Sequence, residues 1–212
     1  GGKDSICLLV ALKHFTALLS QAVLSWRQLL SPSVCPAQAM TAYRHSCNEL
    51  GVHYTVCGKP ISAKSFFDER KEKNPCSLCA KMRKGALNDM AEQLGCNKIA
   101  LGHNKDDVVE TFFMSLLYEG RLNCFAPVSF LDRKKLYSIR PLMYVPEWEC
   151  RSFVNKSDIH IVKNPCLADG NTKRQETKEL LAERFPAVMI ICRKRYSVPS
   201  SDSSLKGWNH AE

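Results

Sequence analysis

Apolar residues recur at helical spacing along much of the chain, and short β-rich runs lie between these stretches. Helices are predicted at residues 4–12, just after a Gly-Gly pair, and at residues 39–50, 76–94, 106–120, 146–155 and 172–185. Strands are predicted at residues 52–56, 98–102, 128–130, 136–139 and 159–162. A Thr-x-x-Gln pattern at Thr172 and Gln175 predicts a capping box. The alternation predicts an α/β fold, with an open parallel sheet and helices on both faces.

The segment 15–38 departs from this pattern. Its apolar run at residues 15–26 is too short to span a bilayer, and charged residues flank it, so no membrane helix is expected. An α/β chain should supply a second strand here, and residues 23–26 offer a weak candidate. We interpret 15–38 as a divergent or inserted segment of one domain at residues 1–186. The basic, serine-rich residues 187–212 are expected to form an irregular tail.

Composition narrows the class of protein. Of the 212 residues, 45% are apolar and 24% charged, which is typical of a globular domain and excludes a disordered tail, a collagen-like repeat or a coiled coil. The net charge is +9, and basic residues cluster at 81–84, 133–135 and 193–195. A basic surface favours a polyanionic partner because neutralised phosphates release counterions. The alternative is a charge that serves solubility alone.

The eleven cysteines are an odd number, so they cannot all close into internal disulfides, and no secretion signal is present. We therefore expect a reducing, cytoplasmic environment and a metal or cluster site. The remaining thiols are interpreted as small packing residues. They are Cys7, Cys35, Cys47, Cys57, Cys96, Cys124, Cys150 and Cys192.

The first five residues, Gly1-Gly-Lys-Asp-Ser5, lead directly into a predicted helix. Glycines let the backbone approach an anion, the first helical N–H groups point at it, and Lys3 and Ser5 add donors. A phosphate cradle is one interpretation and a simple N-terminal turn is the other. The spacing differs from the Gly-x-x-x-x-Gly-Lys-Ser/Thr loop of common nucleotide hydrolases.

Three cysteines lie in sequence contexts that are typical of metal ligands. Cys76 and Cys79 form a C-x-x-C pair where a helix begins, and Cys166 follows an Asn-Pro pair just as Cys76 does. Two thiolates at a helix start can chelate a metal, and the helix dipole lowers their pKa values. Three thiolates suit an iron–sulfur cluster with one open iron, or a redox pair with a third nucleophile. The alternative is ordinary cysteines in coincidental positions.

The run from Leu101 to Asp107 follows a predicted strand, at the end where open α/β sheets bind their ligands. His103, Asp106 and Asp107 could hold Mg²⁺ and polarise a phosphate there. The competing interpretation is that the two aspartates only cap the next helix.

Five motifs occur in one order, and together they point to a family. They are Gly1-Gly-Lys-Asp-Ser5, Cys76-Ser-Leu-Cys79, Ala100-Leu-Gly-His-Asn-Lys-Asp-Asp-Val-Val-Glu-Thr111, Arg140-Pro-Leu142 and Pro165-Cys166. This combination closely resembles the tRNA 2-thiocytidine synthetase branch of the PP-loop (N-type) ATP pyrophosphatases. The resemblance implies an adenine nucleotide alpha hydrolase-like fold, expected here without its first strand. It covers about residues 1–12 and 43–186.

The resemblance also implies an activity. Such an enzyme adenylates the C2 oxygen of a tRNA cytidine, releases pyrophosphate and replaces AMP by sulfur carried through a [4Fe-4S] cluster. Its implied cofactors are ATP, Mg²⁺ and the cluster, and its implied partners are tRNA, a cysteine desulfurase or sulfide as sulfur donor, and a second copy in a homodimer. The alternatives are another thiolated base, lysidine formation, or a non-catalytic metal- and RNA-binding remnant.

Site residues follow from the same resemblance, by position in the motifs. The implied catalytic residues are Asp4, Cys79 and Cys166. The implied ATP-binding residues are Gly1, Gly2, Lys3, Asp4, Ser5, His103, Asp106 and Asp107. The implied cluster ligands are Cys76, Cys79 and Cys166. The expected tRNA-binding residues are Lys81, Arg83, Lys84 and Arg140.

Overall fold

A computed structural model describes residues 2–18, 25–26, 37–55, 75–157 and 172–187. Its helices are α1 (Lys3–Leu18), α2 (Ala37–Glu49), α3 (Pro75–Gln93), α4 (Lys105–Met114), α5 (Glu147–Asn155) and α6 (Lys173–Arg184). Its strands are β1 (Ser25–Trp26), β2 (His53–Tyr54), β3 (Lys98–Ala100), β4 (Val128–Leu131) and β5 (Leu136–Ile139). A π-helical segment, Ser115–Glu119, continues α4 and ends at Gly120, whose φ of 64° is readily adopted by glycine.

The first helix begins directly after Gly2, as the sequence predicts, and it runs to Leu18 rather than ending near residue 12. Its longer extent agrees with the apolar residues that continue past position 12. Leu8 packs with Leu142 and with Cys150 of α5, so α1 and α5 share one core cluster.

The weak strand candidate at residues 23–26 is confirmed. Ser25–Trp26 pairs in parallel with His53–Tyr54, which brings β1 beside β2 in a two-stranded sheet. The divergent segment 15–38 therefore contributes the end of α1, a strand and the start of α2.

The second sheet has the order β3-β5-β4. β3 and β5 are parallel, as expected, whereas β4 and β5 form an antiparallel hairpin that departs from the parallel sheet predicted from the sequence. Lys135 in that turn has a φ of 50°, the left-handed conformation that often closes a hairpin. The α/β class is confirmed, and the hairpin makes this sheet mixed.

Helices pack on both faces of this sheet. On one face Ala91 of α3 packs against Ile99 and Leu136. On the other face Ala100 packs against the cluster shared by α1 and α5. Because successive residues of a strand point to opposite faces, the neighbours Ile99 and Ala100 anchor opposite layers. The C-terminal end of β3 is thereby held between α3 and the start of α1.

Helix α6 packs on α4 through Leu181 and Val109. Its N-cap, Thr172, accepts a hydrogen bond from the Gln175 amide at 3.2 Å, which is half of the predicted capping box. The Gln175 side chain donates to Glu179 at 2.7 Å instead.

The predicted strand at residues 159–162, Cys166 and residues 188–212 of the predicted tail lie outside the described residues. Within the described helices, none is both long enough and apolar enough to cross a membrane.

Candidate nucleotide site

The end of β3 and the start of α1 approach each other closely at Gly102. A Cβ atom on Gly102 would lie 3.1 Å from the backbone carbon and oxygen of Asp4 and from the Ser5 nitrogen. Only a residue without a side chain fits this approach easily. The contact places the Gly2–Ser5 turn at the C-terminal end of a strand, where α/β sheets bind ligands.

Asn104 fixes the loop that follows β3 to this turn. Its Nδ2 donates to Asp4 Oδ1 at 3.1 Å, and its Oδ1 accepts from the Asp107 amide at 3.0 Å. Asp107 Oδ2 accepts in return from the Asn104 amide at 3.0 Å, so the pair forms a capping box for α4. The side chain that caps α4 is therefore also the one that orients Asp4.

Lys3 lies between two carboxylates. Its Nζ is 3.0 Å from Asp4 Oδ2 and 2.9 Å from Glu147 Oε1. Burial opposes the charged ammonium, but hydrogen bonds to Glu147 and Asp4 outweigh burial and raise the Lys3 pKa above its ordinary value. Lys3 therefore stays cationic at the first turn of α1, where the helix dipole is also positive.

Glu147, the first residue of α5, receives several donors. Lys178 Nζ lies 2.7 Å from Glu147 Oε2. The backbone amide of Glu147 itself donates to Asp106 Oδ2 at 2.7 Å. Burial would raise the pKa of Glu147, but the hydrogen bonds from Lys178 and Lys3 prevail and lower it to about 2. Glu147 is ionised at neutral pH and holds Lys3 in place.

The remaining contacts close a ring of charges. Arg174 of α6 lies 3.1 Å from Asp107 Oδ1 and 3.2 Å from Glu110 Oε2, and Lys178 lies 3.7 Å from Glu110 Oε1. Four helices, α1, α4, α5 and α6, meet in this network. We call it the polar ring, and its members are Lys3, Asp4, Asn104, Asp107, Glu110, Glu147, Arg174 and Lys178.

His103 lies next to the ring and stacks on Phe125, with ring centroids 4.7 Å apart. Burial lowers the pKa of His103, as do Arg140 and Arg174, against the opposing effect of Asp107. The imidazole is therefore neutral at physiological pH. Its Nδ1 is buried without a hydrogen-bond partner among the described residues, so it is a polar atom that a ligand could satisfy.

Arg140 also contacts the Phe125 ring. Its guanidinium is 5.0 Å from the centroid of the Phe125 ring and donates to the Ala126 carbonyl and the Ser129 hydroxyl. Burial lowers its pKa. The other three expected tRNA-binding residues, Lys81, Arg83 and Lys84, are exposed on α3.

The structure brings Lys3, Asp4, Ser5 and Asp107 together around Gly102 and Asn104, with His103 beside them. Asp106 is also nearby, but it is buried and accepts from the α5 amide. Gly1 lies outside the described residues. Asp107 caps α4, as one of the two interpretations of the sequence expects, whereas Asp106 accepts from the first amide of α5.

The side chains of the three predicted cluster ligands lie outside the part of the chain that the structure describes. Cys76 and Cys79 lie within the first five residues of α3, where only their backbone is described, and Cys166 lies outside the described part of the chain. Among described side chains, no three His, Cys, Asp or Glu residues are grouped to hold a metal ion.

Sequence reasoning missed Asn104, Phe125, Glu147 and Arg174. Asn104 stands inside a quoted motif, and its position before an acidic helix start was a usable capping signal. Glu147 and Arg174 carry no such signal because they reach the site only through the packing of α5 and α6.

Other thiols behave as packing residues. Burial raises the pKa of Cys7 and of Cys47, raises that of Cys124 to about 11, and raises that of Cys150 to about 12. Such thiols stay protonated at neutral pH and are poor metal ligands.

A glycine turn, a helix start and a cationic lysine at the end of a parallel strand define a nucleotide-binding α/β domain. The PP-loop domain family matches residues 1–184, so the chain belongs to that family. A tRNA-cytidine(32) 2-sulfurtransferase of Pseudomonas fluorescens is 33% identical over 188 residues, which span 86% of this chain and 67% of that protein. One of Dechloromonas aromatica is 34% identical over 201 residues, 88% of this chain and 66% of that protein. The branch of the family indicated by the motifs is confirmed.

A solved structure supports the fold. The U34-tRNA thiolase NcsA of Methanococcus maripaludis, determined with its [4Fe-4S] cluster, superposes with a TM-score of 0.67. The match covers 92% of this chain and 67% of that one at 23% sequence identity. At that identity the likeness establishes the α/β fold.

Proposed function

We propose that this chain is an ATP-dependent tRNA sulfurtransferase that replaces the C2 oxygen of a tRNA cytidine by sulfur. The observation that carries the proposal is the cationic Lys3 at the start of α1, held by Asp4 and Glu147 in the turn whose backbone Gly102 approaches at Asp4 and Ser5. This turn offers first-turn N–H groups and one ammonium to the phosphates of ATP. The names of the sequence relatives supply the substrate class.

The chemistry requires activation before sulfur can enter. The exocyclic C2 oxygen of this amide-like group is a poor leaving group, whereas AMP is a good one. Lys3 and the helix start would stabilise the charge on pyrophosphate as it leaves. Neutral His103, with its unpartnered Nδ1, is placed to accept a hydrogen bond from the bound nucleotide.

Mg²⁺ fits the charges of the cradle. Asp4 places a carboxylate where the phosphates of ATP would lie, and the two anions would repel each other without a cation between them. Mg²⁺ typically binds one or two carboxylates together with phosphate oxygens and water. Asp4 is therefore the residue we propose to face the ion.

The family resemblance assigns the iron–sulfur cluster to three cysteines, and the properties of four other thiols agree with that assignment. Cys7, Cys47, Cys124 and Cys150 have raised pKa values and do not supply thiolates readily. Cys76 and Cys79 lie at a helix start, where the dipole favours thiolate. We propose that Cys76, Cys79 and Cys166 hold the cluster, which would supply the sulfur-carrying iron.

Partners and location follow from the same proposal. The net charge of +9 suits tRNA as the polyanionic partner. A cysteine desulfurase or sulfide would provide the sulfur, and a homodimer is the proposed assembly. Because a thiolate-bound cluster needs reducing conditions, we expect the protein in the cytoplasm.

Lys3→Ala tests the cradle. Loss of the ammonium should weaken ATP binding and reduce tRNA-dependent release of AMP and pyrophosphate by about 10²-fold or more, as for loss of one electrostatic stabiliser. Lys156→Ala removes an equal charge from an exposed position after α5 and should leave turnover unchanged. Equal turnover by Lys3→Ala and Lys156→Ala would mean that residues 1–5 form a simple N-terminal turn and not a phosphate-binding site.

Cys166→Ala tests the cluster. The anaerobically purified variant should lose bound iron while its circular dichroism stays that of the parent. Cys96→Ala, which removes a half-buried thiol next to β3, should keep the iron. Full iron content in Cys166→Ala would contradict the three-cysteine site.

A further inference from the structure

An exposed row of one cation and two aromatic rings crosses the three-stranded sheet. Lys98 of β3 lies opposite Tyr137 of β5, which lies opposite Phe130 of β4. The two rings are 4.8 Å apart and tilted by 44°, and their residues are 43% and 45% exposed. Lys135 Nζ lies 5.9 Å from the centroid of the Phe130 ring. We call Lys98, Phe130, Lys135 and Tyr137 the aromatic platform.

The layering of the helices explains why this row is exposed. Helix α3 covers the face that carries Ile99 and Leu136. On the opposite face, the cluster of α1 and α5 reaches Ala100, two residues beyond Lys98. The platform therefore lies on the same face as α1, at the other end of β3. Single exposed apolar residues are common on protein surfaces, but two adjacent exposed rings with cations beside them indicate an interaction site.

The chemistry of this row suits RNA with unpaired bases. Exposed aromatic rings on a sheet stack bases of single strands, and neighbouring cations neutralise the phosphates. We propose that the aromatic platform stacks an unpaired base of the RNA substrate. This inference rests on the proposed function, and it assigns a contact surface outside the nucleotide site.

The hairpin turn beside the platform also contacts α3, which covers the other face of the sheet. Lys134 Nζ lies 2.9 Å from Asp89 Oδ1 and 2.7 Å from Glu92 Oε2, so the turn is tied to α3. Lys81 precedes Glu92 by three helical turns, which places both on one face of α3 about 16 Å apart. Of the exposed cations at the start of α3, Lys81 thus lies on the side of the helix that carries the hairpin, whereas Arg83 lies half a turn away from Glu92.

The platform is also close enough to the nucleotide site to share one substrate. Lys98 is four residues before Gly102, and such a segment spans no more than about 14 Å. An RNA strand with one base on the platform can therefore place a neighbouring base near Lys3 and His103.

The test compares Phe130→Leu/Tyr137→Leu with the parent in binding to three probes: whole tRNA, a single-stranded RNA oligonucleotide and an RNA duplex of equal length. Loss of stacking should weaken binding of the single strand and the tRNA about tenfold and leave the duplex unchanged. Phe153→Leu removes a ring of similar exposure, 39%, from α5 and should bind all three as the parent does.

Two further variants separate stacking from folding. Phe130→Trp keeps a ring and should retain affinity, and its added fluorescence should be quenched by the single strand. Lys98→Gln removes one exposed cation and should reduce the salt dependence of binding by about one counterion.

The binding measurements distinguish a failure of the aromatic platform from a failure of the proposed function. Equal tRNA affinity in the parent and the double leucine variant overturns the platform and leaves the proposed function standing. A parent that binds no tRNA overturns both. If the double variant loses self-association in light scattering while its RNA affinity is unchanged, the platform is a protein interface and the inference is wrong.

Discussion

At the scale of single residues, the candidate site depends on a few side chains that each serve two elements. Asn104 caps α4 and orients Asp4, and Glu147 begins α5 and holds Lys3. Gly102 serves the site by having no side chain at all. Such double roles make the geometry sensitive to small changes of volume or charge.

Gly102→Ala tests the closeness of β3 to the cradle. The added methyl group would meet three backbone atoms of Asp4 and Ser5 at 3.1 Å, so the start of α1 must shift. We expect the free energy of unfolding to fall by about 1–3 kcal/mol and ATP affinity to fall with it. Urea unfolding and ATP titration measure the two effects.

Gly85→Ala is the matched control because no atom lies within 4 Å of its added Cβ. In the interior of α3, alanine should be neutral or stabilising by about 0.5–1 kcal/mol. Unchanged ATP affinity in Gly102→Ala would show that the cradle tolerates the shift, against this account.

Single residues also show which contacts of the site could be predicted from the sequence and which could not. The helix after Gly2, the strand before Gly102 and the helix after it could be predicted because local patterns encode them. Asp106 was expected at the nucleotide, yet it is buried and accepts from the Glu147 amide. Nothing local indicates that contact, because it depends on how α5 packs against α4.

At the scale of elements, the polar ring links helices that are far apart in sequence. α6 contributes Arg174 and Lys178 to carboxylates of α4 and α5, and α5 in turn holds α1 through Lys3. The segment with Cys166 lies between α5 and α6 in sequence. The ring therefore couples the nucleotide site to the helix that follows the third predicted cluster ligand.

Glu147→Gln tests this coupling while keeping the shape of the side chain. Two ammonium groups would lose their carboxylate, and we expect a loss of about 1–2 kcal/mol at neutral pH, reduced from a fully buried pair by partial exposure. ATP affinity should fall as well, because Lys3 is no longer held. Urea unfolding of parent and variant gives the difference in stability.

The sign of the pH dependence follows from the pKa of Glu147. Its folded value of about 2 lies below the ordinary 4.5, so the ionised carboxylate stabilises the fold. The advantage of the parent over Glu147→Gln should be full above about pH 5 and should shrink as the pH falls towards about 2. A difference that grows on acidification would contradict the role assigned to this carboxylate.

The strands illustrate the same limit at this scale. The hairpin of β4 and β5 was predictable from two apolar runs and a polar turn. β1 was only a weak candidate, because two residues carry almost no periodicity, and its pairing with β2 depends on a partner 28 positions away. Short strands of this kind are specified by their neighbours rather than by their own sequence.

At the scale of the whole molecule, the basic charge, the nucleotide site and the aromatic platform indicate one substrate. The cradle lies at the C-terminal end of β3, and the platform lies at its N-terminal end. A polyanion with unpaired bases can contact both ends, as the proposed tRNA substrate would.

The most direct test of the central claim is nucleoside mass spectrometry of tRNA treated with the anaerobically reconstituted protein, ATP, Mg²⁺ and sulfide. The account predicts 2-thiocytidine that requires ATP and forms in step with AMP. A fully iron-loaded protein that binds tRNA and ATP but yields no thiolated cytidine, or thiolates a different base, would contradict it.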